Sequence, residues 1–151
     1  HRGHVFSLAV HTGDETLLFS GAVAGEDHTV KVWSTKDQRN WENVATLAGH
    51  NASVGSLITC GNLLFTGSRD GVIMVWSIGN WDKPVVVLEE ALHPDAVVRA
   101  KRTGHLDALA VNKDKNLLFG GSANKTITAW RISDDEQVLD DLKRLGVMGT
   151  G

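Results

Sequence analysis

Hydroxyl, imidazole and carboxylate side chains recur together along this 151-residue chain, and together they are the raw material of nucleophilic hydrolysis. In such a centre a hydroxyl attacks, an imidazole takes its proton and a carboxylate orients the imidazole. The sets are His4, Ser20 and Asp27; then His50, Asp70 and either Thr66 or Ser68; then His105, Ser122 and Asn124, where an amide replaces the acid. A single reactive centre needs one set, not three. A tryptophan (Trp33, Trp76, Trp130) also stands six residues after each acid or amide. This recurrence suits scaffolding, so no catalytic residue is assigned and the chain is read as a non-enzyme.

The other polar signals are weaker. His1, His11, His28 and His93 sit in or beside turn-like stretches and read as surface residues, and no Cys/His spacing suggests zinc. Gly120-Gly121-Ser122 lies inside a strand pattern with no helix after it, which is not a phosphate loop. Neither a metal nor a cofactor is expected. Cys60, the lone cysteine, ends an apolar strand and reads as a small buried residue in a reducing compartment. That favours the cytoplasm, with cilium or nucleus as alternatives. The formal charge of −3 argues against nonspecific nucleic-acid binding, which needs a basic footprint. A content of 42% hydrophobic and 22% charged residues is that of ordinary globular protein, and without a run of about 18 apolar residues no membrane partner is expected. No signal-peptide pattern is visible.

The elements that must position these groups repeat three times. Gly3-His4, Gly49-His50 and Gly104-His105 each precede a short apolar segment: Val5 to Val10, Val54 to Cys60, Leu106 to Val111. A turn follows, then Leu17-Leu18-Phe19, Leu63-Leu64-Phe65 or Leu117-Leu118-Phe119. A tight turn then leads into a strand ending in tryptophan, and the tryptophans stand 43 and 54 residues apart. Five- to seven-residue apolar runs bounded by Gly, Asp and Asn predict hairpin strands. Val30 and Val32 share one face while Thr29 and Trp33 share the other, the pattern of a strand sandwiched between layers. A fourth, outer strand is expected from Asn40 to Leu47 and from Asn80 to Leu88, with Pro84 tolerated where no ladder donor is needed. Its third counterpart falls at Gln137 to Leu145. There Val138, Leu139, Leu142 and Leu145 also follow helical spacing behind Asp134, Asp135 and Glu136; strand is preferred.

A period of about 40–45 residues, opened by Gly-His and closed by Trp, resembles the WD-repeat β-propeller family over nearly the whole chain. The usual Trp-Asp ending is altered to Trp-Ser at 33–34 and 76–77 and to Trp-Arg at 130–131. The resemblance implies an all-β fold of four-stranded antiparallel blades: blade one at about 3–48, blade two at about 49–90 and blade three at about 104–146, with a loop insertion at about 89–102. Propellers close with about 4–8 blades, so three make an arc. The chain also starts at His1 and not at Met. It is therefore expected to be an excerpt of a ring of about seven blades, the rest coming from the same longer chain or from another subunit. Open faces such as Val30/Val32 and Ile127/Ala129 should make the isolated arc self-associate.

In that family the histidine, a strand hydroxyl, the turn Asp and the Trp form a buried hydrogen-bonded chain. Carried over, it implies His4, Ser20, Asp27 and Trp33 in blade one. Blade two supplies His50, Asp70 and Trp76 with Thr66 or Ser68. Blade three keeps His105, Ser122 and Trp130 but has Asn124 for the acid and Gly120 where Thr66 stands, so it should be looser.

Departures from the repeat mark where function could live. The turn before Asp27 is three residues longer than its counterparts, and the 89–102 insertion mixes apolar and basic residues. Candidate partner-binding residues are Glu26, Arg69, His93, Val97, Val98, Arg99, Lys101 and Arg102. The favoured function is a non-enzymatic scaffold presenting loops to proteins in a multiprotein complex. The alternatives are the substrate-recognition module of an E3 ubiquitin ligase and a structural part of a ribonucleoprotein or ciliary assembly.

Overall fold

A computed structural model of the chain describes residues 1–23, 27–35, 39–89, 104–114 and 116–131. The segments expected to hold the 89–102 insertion and the last outer strand lie largely or wholly outside them. The described elements are all strands. The first sheet contains β1 (His4–Thr12), β2 (Thr16–Val23), β3 (Val30–Thr35) and β4 (Glu42–Leu47). The second contains β5 (Val54–Cys60), β6 (Leu63–Ser68), β7 (Val72–Ser77) and β8 (Val86–Glu89). The third contains β9 (Leu106–Asn112), β10 (Leu117–Ser122) and β11 (Ile127–Arg131). Within each sheet, strands consecutive in sequence pair antiparallel, which makes each sheet a meander. The three sheets form a partial β-propeller of three blades.

Local chemistry accounts for the turns. Between β6 and β7, Gly71 donates its N–H to the Ser68 carbonyl at 3.1 Å and takes φ +82°, a conformation glycine adopts without cost. The same turn in blade three puts Lys125 at φ +70°, with its N–H 3.1 Å from the Ser122 carbonyl.

A bulge on the innermost strand recurs at one place in all three blades. Ser7, Ser56 and Ala108 pair with Gly21, Gly67 and Gly121; across the bulge, Val5, Val54 and Leu106 pair with Ala22, Ser68 and Ser122. Repetition of this irregularity ties the three registers together and decides which histidine reaches the interior.

The core is two layers between blades. Phe19, Val30 and Val32 of blade one pack with Leu57, Leu64, Met74 and Trp76 of blade two, while Trp81 meets Phe19 edge-on at 5.9 Å between ring centroids. Phe65, Ile73 and Val75 of blade two pack with Leu106, Leu118 and Trp130 of blade three. Val30 and Val32, expected on an open face, are 1% and 0% exposed because blade two covers them. The open face of blade one is the opposite one: Phe6, Leu8 and Val10 are 69%, 61% and 52% exposed. On blade three Ile127 is exposed, as expected, and Ala129 is half-buried.

Candidate functional site

Blade two builds the most complete polar cluster. His50 is buried, with Nδ1 3.3 Å from Asp70 Oδ2 and Nε2 2.7 Å from Thr66 Oγ1. A carboxylate only accepts, so Nδ1 carries a proton. Trp76 Nε1 donates to the same hydroxyl oxygen at 3.1 Å. Asp70 also accepts from the Asn51 amide at 2.8 Å and, through Oδ1, from the Val72 amide at 2.9 Å. Of the two hydroxyls open at the start, Thr66 joins the chain. Ser68 braces the turn instead, donating to the Ala52 carbonyl at 3.1 Å and accepting from the Asp70 amide at 3.2 Å.

Blade one repeats the cluster with a different histidine from the one expected. His1, not His4, places Nδ1 2.8 Å from Asp27 Oδ2 and Nε2 2.8 Å from Ser20 Oγ. Trp33 Nε1 donates to Ser20 Oγ at 2.8 Å, and the Arg2 amide to Asp27 at 2.9 Å. His4 lies exposed on β1 opposite Val23. The bulge register explains the correction: His1 stands four residues before Val5 as His50 stands four before Val54. The readable signal was Val5-Phe6-Ser7-Leu8 against Val54-Gly55-Ser56-Leu57, which outranks the Gly-His pair at 3–4. Thr29, also missed, donates its hydroxyl to Asp27 Oδ1 at 2.6 Å.

Among the described residues, blade three shows no such chain. His105 is exposed and aligns with Ser53: its carbonyl accepts the Ala123 amide at 3.0 Å as that of Ser53 accepts the Arg69 amide at 3.0 Å. By the same register the position of His50 is residue 102, an arginine outside the described residues. Gly120 supplies no hydroxyl. Among the described residues, Trp130 Nε1 and Ser122 Oγ are buried without a hydrogen-bond partner. Asn124 does take the turn role, accepting the Thr126 amide at 3.0 Å and the Thr126 hydroxyl.

The electrostatics follow from these contacts. Burial alone would raise the Asp70 carboxyl, but the His50 hydrogen bond, the Asn51 amide, the His50 ring's charge and the Val72 amide together hold it below its usual value. Burial of Asp27 is likewise outweighed by the Thr29 hydroxyl and the Arg2 and Thr29 amides, so its carboxyl also lies low. Both ring nitrogens of His50 and both oxygens of Asp70 are engaged within the blade, and Thr66 is 0% exposed. The arrangement can brace a loop; its hydroxyl is not presented to a substrate.

Among the expected contact residues, Arg69 is placed on the surface, with Nε 4.0 Å from Asp107 Oδ1 across the joint between blades two and three. Glu26, His93, Val97, Val98, Arg99, Lys101 and Arg102 lie outside the described residues. An open depression of about 380 Å³ is lined by His1, Arg2, Asp27, Thr29 and Lys31.

Comparison with known proteins agrees with this architecture. The family model for the WD domain, G-beta repeat, matches residues 1–34 and 41–77. The chain is 28% identical over 144 residues to mitochondrial division protein 1 of Eremothecium gossypii, covering 93% of this chain and 19% of that protein. It is 33% identical over 133 residues to the Kluyveromyces lactis protein of the same name, covering 83% of this chain and 17% of that one. Its match to protein HIR1 of Cryptococcus neoformans is 38% over 85 residues, covering 49% of this chain and 9% of that protein. The chain thus spans a fifth or less of these relatives. In structure it is similar to the computationally designed Ika8 protein, with a TM-score of 0.64 and 29% identity, covering 87% of this chain and 34% of that one. Repeated register, blade-by-blade packing and these matches lead to one conclusion: the chain belongs to the WD-repeat family, whose propellers are protein-interaction modules.

Proposed function

We propose that this chain is a rigid scaffold that binds partner proteins through the loops on the Asp70 side of its blades. The observation that carries this reading is the internal use of the polar cluster. His50, Thr66, Asp70 and Trp76 bond to one another and to the backbone of the loops around Asn51 and Val72. A loop fixed in this way presents its outward side chains at little ordering cost. Arg69, Asp107 and Ala123 are exposed around that rim, and Asp107 follows shortly after the 89–102 insertion in the chain. A relative in Candida glabrata, 39% identical over 74 residues, is named a CCR4-associated factor 4 homolog, a name that denotes association with another protein.

Affinity purification with mass spectrometry tests the reading on two charge reversals. Arg69→Glu alters the rim, while Lys113→Glu alters an exposed residue in the turn at the opposite end of β9 and β10. Arg69→Glu should lose the captured proteins and Lys113→Glu should retain them. Identical capture by both variants would remove the rim from consideration.

A further inference from the structure

Charge is sorted between the two ends of the blades. Among the described residues, the exposed charged side chains at the Asp70 end are Arg2, Arg69 and Lys125 against Asp107. At the opposite end Asp14, Glu15, Glu42, Asp82 and Asp114 outnumber Arg39, Lys83 and Lys113. Two further acids, Asp27 and Asp70, lie at the first end, but their carboxylates are turned onto histidine rings and backbone N–H groups. The charge left facing outward around the braced loops is basic.

Three of these charges stand on fixed backbone in blades two and three. Arg69 opens the turn between β6 and β7; its N–H donates to the Ser53 carbonyl at 3.0 Å, and Asp70 beside it is held by the His50 cluster. Lys125 occupies the corresponding turn between β10 and β11, with its N–H 3.1 Å from the Ser122 carbonyl. Asp107 is the second residue of β9, next to Leu106, which is 1% exposed in the core of the joint.

Arg69 and Asp107 approach each other without closing. Nε lies 4.0 Å from Oδ1, and the side chains are 38% and 52% exposed. A charge-assisted hydrogen bond is about 2.7–2.9 Å long, so the contact is loose, and exposed pairs of this kind are weak. A carboxylate free to choose its position would pair with Arg69 better than Asp107 does.

Building on the scaffold function proposed above, we propose that the partner presents an acidic peptide segment to this rim. Its carboxylates pair with Arg69 and Lys125 and take the place of Asp107 beside Arg69. Asp107 already shows the chemical group that Arg69 engages. The cations sit on backbone that is fixed beforehand, which keeps the ordering cost of binding low. Spaced cations around an acid make no continuous basic stripe of the kind that tracks a phosphate backbone, and the chain's formal charge is −3. An acidic polypeptide therefore fits the rim better than a nucleic acid does.

Fluorescence anisotropy with labelled hexaglutamate and hexalysine peptides tests this. Hexaglutamate should bind saturably, hexalysine should not, and added sodium chloride should weaken the binding. Arg69→Gln and Lys125→Gln should each raise the dissociation constant about 1.5- to 5-fold, the scale of an exposed ion pair. Asp107→Asn should lower it by a similar factor, because Arg69 then loses its internal competitor. A residue that merely braced the joint would give the opposite sign. Lys113→Gln, at the other end, should leave the constant unchanged, with strand content of every variant checked by circular dichroism. No binding of hexaglutamate, equal binding of hexalysine, no change with Arg69→Gln or no gain with Asp107→Asn would each overturn the proposal. Tighter binding of a single-stranded oligonucleotide of the same charge would do so too. Two outcomes separate the acidic segment from the rim itself. If Arg69→Glu loses the captured proteins but hexaglutamate does not compete with them, the rim stands and the acidic segment falls. If Arg69→Glu captures as the parent does, both fall.

Discussion

The hydroxyl of Thr66 lies 2.7 Å from Nε2 of His50, and its oxygen also takes the indole N–H of Trp76 at 3.1 Å. One small side chain thus meets the polar needs of two large buried rings. A buried donor or acceptor left without a partner costs about 1–3 kcal/mol, so the hydroxyl is worth more than its own hydrogen bonds. Ser20 does the same for His1 and Trp33. In blade three Gly120 cannot, and among the described residues Trp130 Nε1 has no partner.

The histidines should therefore differ in their effect on stability. His50→Ala should lower the unfolding free energy by about 1–3 kcal/mol, since it strips partners from Thr66 and Asp70. His105→Ala, at an exposed ring, should change it by less than about 0.5 kcal/mol. Urea denaturation of the two variants checks the order, and equal losses would disprove it.

Acid sensitivity follows from the direction of the Asp70 shift. Its folded value lies below the unfolded one of about 3.9. The stabilisation is therefore fully present above that unfolded value and is lost as pH falls through the folded one. Asp70→Asn should be less stable than the parent at pH 7 and should lose less on acidification, Asp27 retaining its own share. Denaturation midpoints at neutral and acid pH for both proteins measure this; parallel profiles would contradict it.

Restoring the missing hydroxyl of blade three should fail. A Cβ on Gly120 would stand 2.8 Å from Trp130 Cζ3 and 3.0 Å from Leu106 Cδ2, inside a packed joint. Gly120→Ser should destabilise by about 1–3 kcal/mol through overpacking, although repeat-to-repeat comparison argues for a hydroxyl there. A rise in melting temperature would show that the indole ring can yield.

The tryptophans give a paired test. Trp76→Phe removes a satisfied donor, while Trp130→Phe removes an unsatisfied one, both from fully buried sites. The loss of ring volume is common to both, so Trp76→Phe should cost more, by about 1 kcal/mol. Calorimetry on the two variants reads the difference.

Lys125 holds φ at +70° in the turn where blade two uses Gly71. A residue with a Cβ is penalised by about 1–2 kcal/mol in the left-handed region. Lys125→Gly should remove that strain and gain about 0.5–1 kcal/mol after its larger unfolded-state entropy is counted. A loss on chemical denaturation would show that the lysine side chain matters more than its backbone.

The sequence by itself determined the repeat, and with it the strands, the hairpins and the blade. Leu-Leu-Phe, the turn acid or amide and the tryptophan follow from local spacing, because strand alternation and turn chemistry act over a few residues. Asp27, Asp70 and Asn124 all hold their turns, as their positions suggested. Tertiary structure alone decided which histidine reaches each interior. The bulge before Ser7, Ser56 and Ala108 sets how far the strand start lies from the core, and a bulge is a product of pairing that residue counting does not see. Hence His1 took the place expected of His4, and His105 stayed outside. The same holds for the open faces. Alternation separates Val32 from Trp33, but which side is covered depends on where the next blade lies, and blade two lies over Val30 and Val32.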